Sequence, residues 1–243
     1  MKTNIYKLSL LGLLSVTCGL TVLAQTQNDP TNVAETKVQA KAPGIQANNA
    51  ISLAGKWRFE MDRKDVGKSD GWFKRELAST IQLPGSMAEN QIGNPETGWR
   101  PDLMVWHPRF KFDYRGAAWY QTTVTIPEEW QGKITELFLE RVCWQSELWV
   151  DDVAMGSCNS LTAPHTYEIG VLKPGAHRIT LRLDNSCLFY LGPNTHSYHE
   201  QSCTIFNGII GRIELNARPA VFVRSCQVYP EATTGKCIVN PVF

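Results

Sequence analysis

From about Ile51 onward, apolar and polar residues alternate in short runs separated by turn residues. Tyr120, Thr122, Val124 and Ile126 alternate with Gln121, Thr123 and Thr125 until Pro127 stops the run. Ile179, Leu181 and Leu183 alternate with Arg178, Thr180 and Arg182, entered through Lys173-Pro174-Gly175. A period of two puts one set of side chains in a core and the other toward water, so both runs predict one-sided strands. Similar runs predict strands over 57–61, 80–83, 135–141, 147–150, 153–157 and 209–216, with Asp151-Asp152 as a tight turn. No long stretch carries the helical period. Many short strands with no helices between them predict an all-β sandwich rather than a parallel α/β sheet. That domain is expected over 51–217. After Arg218-Pro219 the pattern restarts over 221–229, turns at Thr233-Thr234-Gly235 and resumes over 237–239, predicting a second domain that starts within 218–243.

The amino-terminal end has a different pattern. Two lysines and no acid precede a nearly unbroken apolar or small run from Leu8 to Leu23, and Val22-Leu23-Ala24 places small residues before Gln25. Residues 1–24 therefore read as a secretory signal peptide, which predicts a periplasmic or secreted protein. A single membrane anchor fits less well, because the run is short and contains Ser15, Thr17, Gly19 and Thr21. A lipoprotein reading at Cys18 meets a large Thr17 before it and an apolar run that continues beyond it. Residues 25–50 mix Gln, Asn, Thr, Lys, Ala and Pro without periodicity, the composition of a flexible linker.

Composition narrows the function classes. Lys+Arg 24 against Asp+Glu 23 gives a formal charge of +1, so nothing draws the chain to nucleic acid or to an acidic membrane surface once the signal is cleaved. Hydrophobic residues at 43%, with 8 Trp, 7 Tyr and 9 Phe, suffice for a packed core. Loss of Cys18 with the signal leaves an even set, Cys143, Cys158, Cys187, Cys203, Cys226 and Cys237. An oxidising compartment permits pairing among them, while a core this size also accommodates cysteines as small apolar residues.

Several motifs carry a resemblance. Leu53-Ala54-Gly55-Lys56-Trp57-Arg58-Phe59 looks like a Leu-x-Gly-x-Trp-x-Phe opening strand, followed by the Leu83-Pro84-Gly85-Ser86 turn. Gly116-Ala117-Ala118-Trp119-Tyr120, then Ile126-Pro127 and Trp130-Gln131-Gly132-Lys133, form the most specific stretch. Leu148-Trp149-Val150-Asp151-Asp152 resembles a Val-x-Val-Asn-Gly hairpin with Asp152 where Gly is usual, and Asn207-Gly208-Ile209-Ile210-Gly211-Arg212-Ile213 resembles a final strand. Together they are similar to the N-terminal sugar-binding domain of glycoside hydrolase family 2, which includes β-galactosidases, β-glucuronidases and β-mannosidases. The resemblance implies a jelly-roll sandwich of the galactose-binding type, then the first strands of an incomplete immunoglobulin-like sandwich. In a complete member a (β/α)8 barrel bearing two catalytic glutamates follows. The stretch from Arg218 to Phe243 is about a tenth of the roughly 250 residues such a barrel takes, so that barrel, an expected partner, falls outside this sequence.

Retaining glycoside hydrolysis needs two carboxyl groups about 5 Å apart on a rigid scaffold. Glu128-Glu129 are neighbours in a turn and diverge, so they read as solvated charges and no catalytic residue is expected here. Sugar contact is the remaining chemistry: aromatic faces pack against pyranose C–H groups, and fixed polar groups bind hydroxyls. Two long segments outside the strands, 85–115 and 187–206, hold such residues: Glu89, Asn90, Asn94, Trp99, Trp106 and His107 in the first, Asn194, His196, Tyr198, His199, Glu200 and Gln201 in the second. The resemblance implies that the loop before the final strand reaches toward a sugar, with Ser202 where some members carry an acid. The expected contacts to a β-glycoside are thus Asn94, Trp99, Trp106, Glu200 and Ser202. His196, His199 and Glu200 sit close together, but without a helix to align them they are not expected to bind metal, and no cofactor fingerprint is present. The resulting expectation is a catalytically silent, sugar-binding portion of a secreted family 2 glycosidase. The competing readings are a free-standing carbohydrate-binding module or lectin, and a truncated reading frame.

Overall fold

The structure is a computed structural model that describes residues 49–95, 111–188, 192, 205–223, 225–231, 233 and 235–242. The expected signal peptide, Trp99, Trp106, His107 and the His196–Glu200 cluster lie outside the described residues. Regular structure is almost wholly strand. One antiparallel sheet has the order β1 (Ala50–Ser52), β13 (Gly208–Arg218), β8 (Ile134–Val142), β11 (His165–Val171), and β4 (Gly85–Ser86) also pairs with β13. The other has the order β10 (Val153–Cys158), β9 (Gln145–Val150), β12 (Gly175–Asp184), β7 (Ala117–Ile126), β2 (Gly55–Asp62), β3 (Ser79–Leu83).

The two sheets form a sandwich around one core. Trp57, Phe59, Tyr120, Val124, Leu148 and Leu181 from the second sheet meet Leu137, Leu139, Tyr167, Ile213 and Leu215 from the first. The motif tryptophans are explained here. Trp57 is 1% exposed, and its indole N–H donates to Leu53 O at 2.8 Å. Trp130 is buried at the end of the 3-10 turn Glu128–Trp130, whose two glutamates are exposed as expected.

The outer face of the six-stranded sheet departs from the one-sided pattern. Gln121, Thr180 and Arg182 were expected to face water where they alternate with core residues, yet they are buried, as is Trp119 on the same face. The segment between β2 and β3 folds over that face. Its Leu77 joins Trp119 and Trp149, with Trp72 and Phe73 packed against them. Phe73 stacks on Trp149 at 5.2 Å and 9°, and Trp119 lies 5.1 Å from Trp149. Buried Asp62 anchors the segment by accepting hydrogen bonds from Val66 N at 2.9 Å, Gly67 N at 2.8 Å and Trp119 Nε1 at 3.0 Å. Residue 67 must be glycine, because a Cβ there would lie 2.4 Å from Trp119 Nε1. Alternation alone could not reveal this cover, since a polar residue facing a bonded partner looks in sequence like one facing water.

β5 (Asn94–Pro95) and β6 (Phe112–Asp113) form a small ladder of their own. β14 (Ser225–Glu231) and β15 (Lys236–Val242) form a two-stranded sheet with Val228 opposite Val239. This hairpin falls where the pattern restart predicts it, a few residues later and longer at its second strand. Its described side chains are exposed, including Tyr229 and Ile238. Among the described residues no helix is long and apolar enough to cross a membrane.

Candidate functional site at the loop end of the sandwich

Both long segments singled out in the sequence start and finish at one end of the sandwich. At that end β2 finishes opposite the start of β7, which faces the end of β12. The start of β13 meets β4 and the end of β8. The ladder between Asn94 and Asp113 closes the base of 96–110, and Ile205-Phe206-Asn207 forms the root from which β13 departs.

A buried hydrogen-bond network fixes these roots. Asn207 is 3% exposed: its Oδ1 accepts from Tyr120 OH at 2.7 Å, its Nδ2 donates to Gly116 O at 2.9 Å, and its backbone O accepts from Met87 N at 2.7 Å. Asn185, fully buried, donates through Nδ2 to Tyr114 O at 2.8 Å and accepts from Gly116 N at 2.9 Å. Tyr114 OH donates to Ala117 O at 2.6 Å. Two carboxamides thereby satisfy irregular backbone that no ladder reaches, which is how buried loop roots avoid orphaned polar groups. Trp144 and Cys143 pack beside them against Ile205, and Trp144 Nε1 donates to Asn159 O at 3.1 Å. A shallow depression lies between Met87, Phe112, Tyr114, Phe206 and Asn207.

The buried phenols and the thiol here are held neutral. Burial pushes Tyr114 up to about 12 and Cys143 up to about 11, and raises Tyr120 well above its ordinary value. Such groups position and bind, and do not exchange protons near neutral pH.

The expected site residues divide. Asn94 is exposed at this end and accepts from Arg63 Nη1 at 2.9 Å. Trp99, Trp106, Glu200 and Ser202 lie outside the described residues. Two other polar residues of the first segment turn out to hold its turn together. Asn90 accepts from Gln82 N at 3.0 Å and donates to Gln82 O and Ser86 O, while Glu89 Oε2 accepts from Ser86 N at 2.7 Å and from its hydroxyl. Sequence reading missed Arg63, Tyr114, Asn185 and Asn207. The available signal was an asparagine beside an apolar run: Asn207 sits between Ile205-Phe206 and Gly208-Ile209, where a polar group must find a partner inside.

Among the described residues no three His, Cys, Asp or Glu side chains gather as metal ligands, and Cys143, Cys158, Cys226 and Cys237 form no disulfide with one another.

Comparison with known proteins bears on the same part of the chain. The family described as glycosyl hydrolases family 2, sugar binding domain, matches residues 50–196. A β-glucuronidase of Paenibacillus borealis is 27% identical over 135 residues, covering 55% of this chain and 20% of that protein. The crystal structure of Ruminococcus gnavus β-glucuronidase superposes with a TM-score of 0.60 at 21% identity, covering 82% of this chain and 34% of that one. A β-glucuronidase from an uncultured Clostridium gives 0.55 at 16% identity, with 75% and 31% covered. These structures share the fold. The chain spans about a fifth of the curated relative and about a third of the solved ones.

Proposed function

The chain belongs to family 2 of the glycosyl hydrolases through its sugar binding domain, and on that premise we propose that it is the amino-terminal, sugar-facing part of an exported enzyme that hydrolyses β-glycosides. The match over residues 50–196 carries the reading, since it takes in every strand of the sandwich except β13 and the first of the two long segments. β-Glucuronides are the favoured substrate class because the relatives named above are β-glucuronidases. The chain's own role is to present polar and aromatic groups to the sugar, with hydrolysis carried out by a catalytic domain of the same protein. The tyrosines at the loop end suit that division, being buried hydrogen-bond donors rather than proton carriers. Asn94, Trp99, Trp106, Glu200 and Ser202 are the proposed contacts.

The test is direct. The purified chain, incubated with aryl β-glucuronide, β-galactoside and β-mannoside, should release no aryl product. Turnover that follows the chain through successive columns would overturn the accessory role.

A further inference from the structure

Arg63 stands in the turn after β2, exposed at the loop end, and its guanidinium is held by neutral groups. Nη1 donates to Asn94 Oδ1 at 2.9 Å, Nη2 lies 3.7 Å from Met61 Sδ, and the guanidinium carbon is 5.5 Å from the centre of the Tyr114 ring. Most other arginines of the sandwich meet carboxylates. Arg58 pairs with Glu76, Arg75 with Glu60, and Arg182 with Asp65, Glu147 and Asp184. Arg63 meets none among the described residues. Asp113, opposite Asn94 in the β5–β6 ladder, is engaged by Arg115 at 3.6 Å. The Arg63 cation is therefore oriented without being neutralised.

Hydrogen-bond chemistry decides what such a pair can hold. The carboxamide oxygen of Asn94 faces Arg63, which leaves its NH2 directed away, and a guanidinium carries donors only. Together the two residues offer N–H groups and a positive charge. A hydroxyl both donates and accepts, so it gains little from this arrangement over a mixed one. A carboxylate accepts only, and charge-assisted bonds to a fixed guanidinium are the stronger kind.

Building on the sugar-facing reading of this end, we propose that Arg63 and the Asn94 amide form a recognition site for the carboxylate of an acidic sugar, the C6 carboxylate of a β-linked uronic acid. Arg63 is the specificity-determining member, and Asn94 both orients it and adds a donor. Tyr114 supplies the apolar floor on which the guanidinium rests.

The test is a titration of the isotope-labelled full chain, read on the side-chain N–H signals of Arg63 and Asn94, with methyl β-D-glucuronide, methyl β-D-glucoside and acetate in parallel. The glucuronide should shift both signals saturably and bind about tenfold or more tightly than the glucoside, as a hydrogen bond to a charged group implies. Acetate should bind as weakly as the glucoside. Arg63→Gln should abolish the glucuronide response, and Arg58→Gln, an exposed arginine paired elsewhere, should keep it. Equal responses to the two glycosides, or an unchanged response in Arg63→Gln, would overturn the carboxylate site while leaving the sugar-facing reading in place. Acetate matching the glucuronide would overturn the sugar as its ligand. No response to either glycoside anywhere at the loop end would overturn both readings.

Discussion

Tyr120 and Asn207 meet across the sandwich, the phenol donating to Asn207 Oδ1 at 2.7 Å with both side chains almost fully buried. Tyr120 belongs to β7 in one sheet and Asn207 to the root of β13 in the other, so this bond joins the sheets just beyond the ends of the two long segments. Burial raises the Tyr120 pKa well above its ordinary value, so the hydroxyl keeps its proton throughout the working range. Tyr120→Phe removes the donor and strands a buried oxygen, which costs about 1–3 kcal/mol. Urea unfolding should show a lower midpoint with an unchanged slope. A midpoint equal to that of the parent would mean that the bond adds nothing to stability.

Gly208 should resist every substitution. Its backbone lies at φ +136°, and a Cβ there would stand 2.4 Å from Gly85 O and 2.8 Å from Ser86 Cα, both backbone atoms that cannot swing aside. The pairing of β4 with β13 depends on that approach. Gly208→Ala should therefore destabilise by about 1–3 kcal/mol, the usual cost of overpacking, or part β4 from β13. Amide exchange at Met87, whose N–H donates to Asn207 O at 2.7 Å, would distinguish the two outcomes, since parting exposes that amide while simple destabilisation lowers protection throughout. Parent-like stability and exchange would mean that the approach is not required.

What the sequence made legible, and what it hid, follows from which physical signals are local. Alternation in β7 and β12 is local, and both strands lie where it predicts them. The opening tryptophan motif was readable for a similar reason, since Trp57 bonds to Leu53 only four residues away. The short β4, β5 and β6 are two residues each and carry no period. Strand β11 was missed because His165 and Tyr167 alternate inward beside a glycine bulge near Gly170 and look polar. The cover over Trp119 depends on Asp62 bonding a residue 57 positions away, and the roots of the candidate site depend on Asn207 reaching Tyr120 across 87 positions. Such pairs have no spacing rule. The same holds for Arg63 and Asn94, of which only the asparagine was visible, as a polar residue in a long segment.

The β9–β10 turn makes a contrast between two adjacent aspartates. Asp151 and Asp152 both adopt left-handed backbone, with φ of 46° and 71°. Asp151 is also a hub, its Oδ1 accepting from Arg178 N at 2.8 Å and its Oδ2 bonding His177 Nδ1 at 2.5 Å, whereas Asp152 makes only an exposed pair with Arg178. Asp152→Gly exchanges a pair worth about 0–1 kcal/mol for backbone relief of similar size. Its melting temperature should stay near that of the parent, while Asp151→Gly, which gains similar backbone relief but loses its bonds to both the Arg178 amide and His177, should melt lower than Asp152→Gly. Equal melting temperatures for the two variants would show that Asp151 is not a hub.

His165 should set a pH dependence of stability. It is fully buried between the sheets, with Nδ1 2.6 Å from Ser146 Oγ and Nε2 2.8 Å from Ser160 O. The carbonyl can only accept, so Nε2 carries the proton and Nδ1 accepts from the Ser146 hydroxyl, which fits the neutral ring. Tyr167 OH, 2.6 Å from the same hydroxyl, completes the cluster, and burial raises its pKa so that it stays neutral too. Desolvation lowers the His165 pKa below its ordinary 6.5. The unfolded chain therefore binds a proton that the folded chain refuses once pH falls below that value. This stabilisation is complete above about pH 6.5 and declines as pH falls toward the folded pKa, with a slope of at most about 1.4 kcal/mol per unit. Chemical unfolding followed between pH 7.5 and 5 should show the decline in the parent. In His165→Gln, which keeps a donor and an acceptor but cannot charge, that part of the slope should vanish even though the variant is less stable overall. An identical slope in both proteins would place the acid sensitivity elsewhere and show that His165 is protonated as easily folded as unfolded.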